Sequence, residues 1–413
     1  MSLYQKASLV QIPSGYKAAD DKLYSVVPNN GDGDFTVTVD ADATRVNKDG
    51  LIESVVADQA RLNYDPTNPQ DPHLLLEPSR TNSITYSEDF SNGIYNKNNA
   101  NVTVNNTTAP DGTDNADKIT STGTTPYARV SFTHSTSTSY AVSIFGKKGD
   151  EDYLYIRALA LSNQPIASFN LNTGALGTVN SGLTAEIQAY TNGFYRCTIK
   201  YTTTSSISNN LIDFGFASSD NSRLSSSGKF AYFWGTQVEA GSYPTSYIPT
   251  SGIAETRTED FCFINSGLEN ILNTSEGTLF VEVEVPRVSS TGSFERIVLS
   301  DQNASTDRII FDNYAGNWRA LMLSTAGNVN KTIVGVTANQ RIKVAIAYSS
   351  TQLRVSYDGN AATTTSGSYT PSTTLESFKF SNKDGGNKWQ GKIYQAMYFN
   401  TALTNAELQT LTS

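Results

Sequence analysis

Cysteine, histidine, methionine and tryptophan are scarce in this chain, with 2 Cys, 2 His, 3 Met and 3 Trp among 413 residues. That scarcity, with no HExxH and no paired Cys/His spacing, excludes a clustered zinc site. A GxSxG elbow is missing too, which removes the serine-hydrolase arrangement built on it. Cys197 and Cys262 lie in the apolar runs YRCTI and FCFI and read as separate small core residues rather than a bridge. His73, in a Pro-rich run, and His134, at a strand end, read as surface polar residues. No run approaches the ~18 apolar residues of a membrane-crossing helix, and the first ten residues lack the apolar stretch of a secretory signal. Charge is low at 17%, with 30 Lys plus Arg against 39 Asp plus Glu and no basic cluster. A formal charge of −9 repels phosphate and argues against a nucleic-acid partner.

What the chain does have is Ser, Thr, Asn and Gly in excess, together with 22 Tyr and 18 Phe. That mixture favours short strands, polar turns and aromatic cores over helices. At roughly one domain per ~150 residues, two or three domains are expected. Residues 1–75 hold short apolar runs broken by turn-rich stretches and end in NYDPTNPQDP at 63–72, whose three prolines read as a linker. Residues 76–262 alternate strand-like runs with Gly, Asn, Asp and Ser clusters, the pattern of an antiparallel β-sandwich, and close in an extended crossing segment at 239–250. Residues 263–413 repeat the pattern from TLFVEVEV at 278–285 onward. There Thr404 and Glu407 have the spacing of a capping box opening a short terminal helix. The expected fold class is all-β: two antiparallel sandwiches behind an irregular, hairpin-containing N-terminal segment, with one short C-terminal helix.

Two stretches resemble known families. TLFVEVEV, the pair VAIAY at 344–348 and LRVSYDGN at 353–360, and the closing WQGKIYQAMYFNTALTNAEL at 389–408 resemble concanavalin A-like or laminin-G-like jelly rolls. Across residues 42–257, six phrases resemble bacteriophage tail-fibre or head-appendage proteins that carry a carbohydrate-binding-type jelly roll. They are ATRVNKDGLIE at 43–53, LLLEPSRTN at 74–82, TYSEDF at 85–90, APDGT with ADKI at 109–119, NGFYRC at 192–197 and WGTQVEAGSYPTSYIPT at 234–250. The resemblance implies a virion surface protein, made in the host cytoplasm without a signal, that binds host-surface or environmental glycans. The alternatives are a purely structural assembly or spacer protein, or a polysaccharide depolymerase. Partners on this reading are other virion proteins, met through residues 1–75, and further copies of the chain, with a trimer favoured. No heptads are present for a coiled-coil stalk.

Sugar contact needs an exposed ring flanked by amides or carboxylates, because pyranose C–H faces pack on aromatics while hydroxyls need directional partners. Asp312, Asn313, Tyr314, Asn317 and Trp318 satisfy this within DNYAGNW, and Trp389 does so at the end of NKDGGNKW at 382–389. The competing reading places both tryptophans in the core, as expected for Trp234. Asp111, Asp114 and Asp117 gather hard oxygen ligands for a structural calcium ion, although the same residues also populate plain turns. Glu282 and Glu284 alternate with Val281, Val283 and Val285, so they share a face like the paired carboxylates of jelly-roll glucanases. Pro286 and Arg287 stand where a third acid is expected, and the chain reads as a non-enzyme.

Overall fold

The computed structural model describes residues 2–13, 22–40, 43–204, 210–288, 293–301, 307–381 and 386–413. Nearly all regular structure is antiparallel strand, arranged as two sandwiches, and the α-helix Asn405–Thr412 is the only one among the described residues. The middle sandwich stacks two six-stranded sheets. One is led by Ser139–Lys147, which pairs with both Phe194–Thr202 and Phe230–Ala240. The other is built around Tyr153–Ala158 and Leu211–Ala217. Period-two alternation sends Val142, Ile144, Cys197 and Ile199 inward against Leu154, Ile156, Phe214 and Phe216.

The second sandwich packs a nine-stranded sheet on an eight-stranded one. Leu279, Val281, Val283 and Val285 line its core from one side, facing Ile297, Leu299, Ile309 and Phe311 from the other. On the outer side of the same strand, Phe280 packs beneath Leu403 and Leu408, so the terminal helix covers an apolar patch of sheet. Thr404 caps that helix by accepting from the Glu407 amide, while Glu407 reaches back to the Thr404 amide.

Residues 1–75 do not stand apart. Leu9–Gln11 pairs with the last strand, Gly391–Phe399, and Phe35–Thr38 pairs with Phe261–Ile264 in the opposite sheet. The run expected as a linker is a hairpin: Leu62–Asp65 folds back on Asn68–Leu76, which then joins Gly391–Phe399. Its prolines are tolerated because the ladder to Gly391–Phe399 uses Leu74, Leu75 and Leu76, beyond Pro69 and Pro72. The crossing segment after Ala240 is extended without regular pairing, as its prolines dictate. Cys197 and Cys262 are free thiols in different cores.

Candidate binding cleft

The DNYAGNW residues do not form an exposed sugar platform. Trp318 is 2% exposed and Trp389 is fully buried, stacked 6.0 Å apart at 10° between planes, with Phe311 4.9 Å from Trp318. Strand alternation turns Trp318 inward, because Asn317–Ser324 is an interior strand with its even-numbered residues in the core. Asp312 is buried between Arg296 and Arg319, and Asn313 donates to the buried Glu295 carboxylate at 3.0 Å. Tyr314 alone is well exposed, under the Arg319 guanidinium at 3.8 Å, while Asn317 turns back to the Ala315 carbonyl. Residues 382–385 of the second candidate lie outside the described residues.

The three aspartates are not brought together around a cation either; no group of three His, Cys, Asp or Glu able to hold a metal occurs among the described residues. Asp111 accepts from the Thr113 amide and hydroxyl, and Asp114 accepts from the Thr108 hydroxyl. Asp117 accepts the amides of Phe90 and Asn105. Burial pushes the Asp117 carboxyl up to about 6 against the pull of those two amides. The cluster is turn chemistry, with each carboxylate consumed locally. Glu282 and Glu284 share the outer face of their strand, each held by a cation: Arg341 at 2.9 Å and Lys392 at 2.8 Å.

Both histidines are buried rather than on the surface. His134 packs 4.0 Å from the Phe132 ring centroid and bonds the Tyr201 hydroxyl at 2.7 Å. His73 receives the Asn63 amide at 3.0 Å, and desolvation next to Lys392 lowers it to about 3, so it is neutral.

The phrases LLLEPSRTN and WGTQVEAGSYPTSYIPT meet in the structure as a buried polar clasp between the sandwiches. Glu77, from LLLEPSRTN, accepts from Arg61 at 2.7 Å, Arg257 at 2.6 Å and the Ser246 amide at 2.8 Å. Arg61 also holds Asp260. The two guanidiniums keep the Glu77 carboxyl down at about 2 despite its burial. Beside it, Asn82 donates to the carbonyls of Thr236 and Ile248 and accepts from the Val238 amide. Glu239 receives the Thr245 amide and hydroxyl. These motifs therefore fix the path of the crossing segment.

Next to the clasp opens a cleft of about 540 Å³ between the two sandwiches. Its walls are the outer face of Thr184–Ala189 and Phe194–Thr202, the 62–76 hairpin, the crossing segment at 243–247 and the start of Gly391–Phe399. Half-buried Tyr64 and Tyr190 present ring surface there, above the apolar cluster of Phe145, Trp234 and Tyr247. Polar groups alternate along the wall: Gln188 and Glu186 on one strand, and Arg196, Thr198 and Lys200 on its neighbour. Lys200 pairs with Glu186 at 3.0 Å. Arg196 lies at the floor, where its Nε and Nη2 donate to Ser143 Oγ at 3.2 and 3.0 Å and its Nη1 donates to the Thr245 carbonyl at 2.7 Å. The period-two polar run of Arg196, Thr198 and Lys200, opposite Cys197 and Ile199, is the sequence signal for this wall. The cleft joins rings, amides and charges suited to orienting a polar ligand by packing and hydrogen bonds.

No protein-family model matches the chain, and no curated protein matches it. Among solved structures it is similar to the Ruminococcus gnavus IT-sialidase CBM40, at 13% identity and a TM-score of 0.30, over 36% of this chain and 88% of that one. It is also similar to the K499G mutant of NanB sialidase from Streptococcus pneumoniae, at 14% and 0.31, over 36% of this chain and 26% of that one. A third is Domain 4 of AbnA, a GH43 extracellular arabinanase from Geobacillus stearothermophilus, at 17% and 0.29, over 38% of this chain and 73% of that one. Likenesses at this level carry no assignment of function to the chain.

Proposed function

We propose that this chain is a bacteriophage appendage component, of a tail fibre, head fibre or decoration, that binds host-surface glycans in the inter-sandwich cleft without cleaving them. The observation that carries the reading is the cleft itself, where the Tyr64 and Tyr190 rings stand beside amide, carboxylate and guanidinium groups. Pyranose faces pack on such rings while hydroxyls take the flanking polar groups. The resemblance of the six phrases to phage appendage proteins supports the virion setting, and copies in an oligomer raise a weak site to useful avidity. Because most strands of residues 1–75 are built into the second sandwich, contacts of that segment with other virion proteins fall to its exposed surfaces.

The internal pairing of Lys200 with Glu186 and of Lys392 with Glu284 favours a second reading, a structural spacer whose cleft is only a seam. Titration of the full chain against bacterial surface polysaccharides, with reducing ends assayed in the same samples, separates the readings. Saturable heat without new reducing ends is expected, and Tyr190→Ala should weaken it about tenfold, or ~1.4 kcal/mol. Silence across the panel supports the spacer, and released sugar identifies an enzyme.

A further inference from the structure

We infer that the cleft selects glycans bearing a carboxylate, and that Arg196 is the group that reads it. The inference rests on the glycan-binding reading above and names its substrate class.

Most charged groups around the cleft are paired within the protein. Arg45 is held by Glu53, Lys200 by Glu186, Lys392 by Glu284, and Asp71 by Arg341. Glu77 is saturated by Arg61 and Arg257. Arg196 differs: it is 7% exposed, and among the described residues no carboxylate lies within ion-pair distance of it. Three of its donor contacts go to neutral oxygens, two to Ser143 Oγ and one to the Thr245 carbonyl. The Tyr190 hydroxyl adjoins it, and its plane approaches the Phe145 ring at 5.6 Å.

A guanidinium has five N–H donors in a rigid fork, so these contacts, with the Tyr190 hydroxyl beside them, do not exhaust Arg196, which is among the residues lining the cleft. Burying a cation on neutral partners is costly, and an arriving carboxylate offsets that cost with a charge-assisted contact. Ser143 and Thr245 fix the orientation of the fork beforehand, so little side-chain freedom is lost on binding. Tyr190 stands beside the same group, placing a ring where the sugar that carries the carboxylate would pack. An acidic sugar residue, a uronic or nonulosonic acid within a surface polysaccharide, meets both demands at once.

The test uses the full chain with oligosaccharides of polygalacturonate, hyaluronate and polysialic acid, each beside its carboxyl-reduced counterpart and beside neutral oligosaccharides. At least one acidic oligosaccharide should bind ten times or more tighter than its reduced form, and Arg196→Gln should erase that ratio while Arg196→Lys keeps part of it. Should R196Q fail to fold, the ratio in the unaltered chain remains readable. The Arg196 Nε–H resonance, assigned by its loss in R196K, should then move on adding the acidic form alone. Equal affinity for acidic and reduced forms, or a ratio that survives in a folded R196Q, overturns the inference and leaves glycan binding standing. Binding of neutral oligosaccharides alone does the same, whereas no binding to any probe overturns both.

Discussion

Trp318 lies nearly parallel to Trp389, 6.0 Å from centroid to centroid, inside the core of the second sandwich. Both rings are removed from solvent, so truncation leaves a cavity rather than an empty ligand platform. Trp318→Ala should cost about 3–5 kcal/mol in urea unfolding. Tyr314→Ala, four residues away and 43% exposed, should change stability by only about 0.5 kcal/mol. If W318A unfolds like the unaltered chain, the stacked core described for this sandwich is wrong.

The clasp gives the molecule an acid-sensitive joint. Glu77 has its folded-state pKa depressed to about 2 from 4.5 by Arg257 and Arg61. A depressed carboxyl contributes stability that is present above its unfolded value and is lost as pH falls through the folded one. Unfolding free energy measured at intervals from pH 6 down to pH 2 should therefore decline between about 4.5 and 2. Glu77→Gln should lower stability at pH 7 by about 3–5 kcal/mol, because two buried guanidiniums lose their shared anion. It should also flatten that decline, and an unchanged acid limb in E77Q would show that other carboxylates set it.

Asp111, Asp114 and Asp117 accept separately from Thr113, Thr108 and the amides of Phe90 and Asn105 and do not gather as a ligand group for a divalent cation. Adding millimolar calcium or a chelator should leave the thermal midpoint where it is. A rise of several degrees with calcium would restore the metal reading.

Loss of the Thr404 cap is a smaller, local test. Thr404→Ala removes the acceptor for the Glu407 amide and half of the capping box, at a cost of about 1 kcal/mol. Since the helix lies over Phe280 through Leu403 and Leu408, amide exchange should quicken in 405–412 first.

The fold was legible where period-two alternation met turn residues. Val142, Ile144, Cys197 and Ile199 announce an inward face, and Thr404 with Glu407 announces the helix. The same alternation hides which of two faces is wet, and this leaves Trp318 open between an exposed ring and a core one and leaves Glu282 and Glu284 without their cations. Arg341 and Lys392 lie 59 and 108 positions from those glutamates, a distance no local pattern spans. The prolines of 63–72 suggested a linker because their missing donors rule out a central ladder, yet the ladder here begins two residues after Pro72. The cleft was hidden for a related reason: its walls come from widely separated stretches, and only the Arg196, Thr198 and Lys200 run is visible in one of them.

The pairing of Leu9–Gln11 with Gly391–Phe399 sets an order on biogenesis. As the chain leaves the ribosome, Leu9–Gln11 can pair along one edge with Ser25–Val27, but its other edge has no partner until nearly 400 residues have been translated. The middle sandwich, whose strands are all drawn from residues 96–240, is free to condense first. The second sandwich closes last, through contacts of very high sequence separation, and the open edge of its first strand waits for the last one in the meantime. Ribosomes stalled short of residue 391 should thus carry a protease-resistant middle and a protease-sensitive beginning.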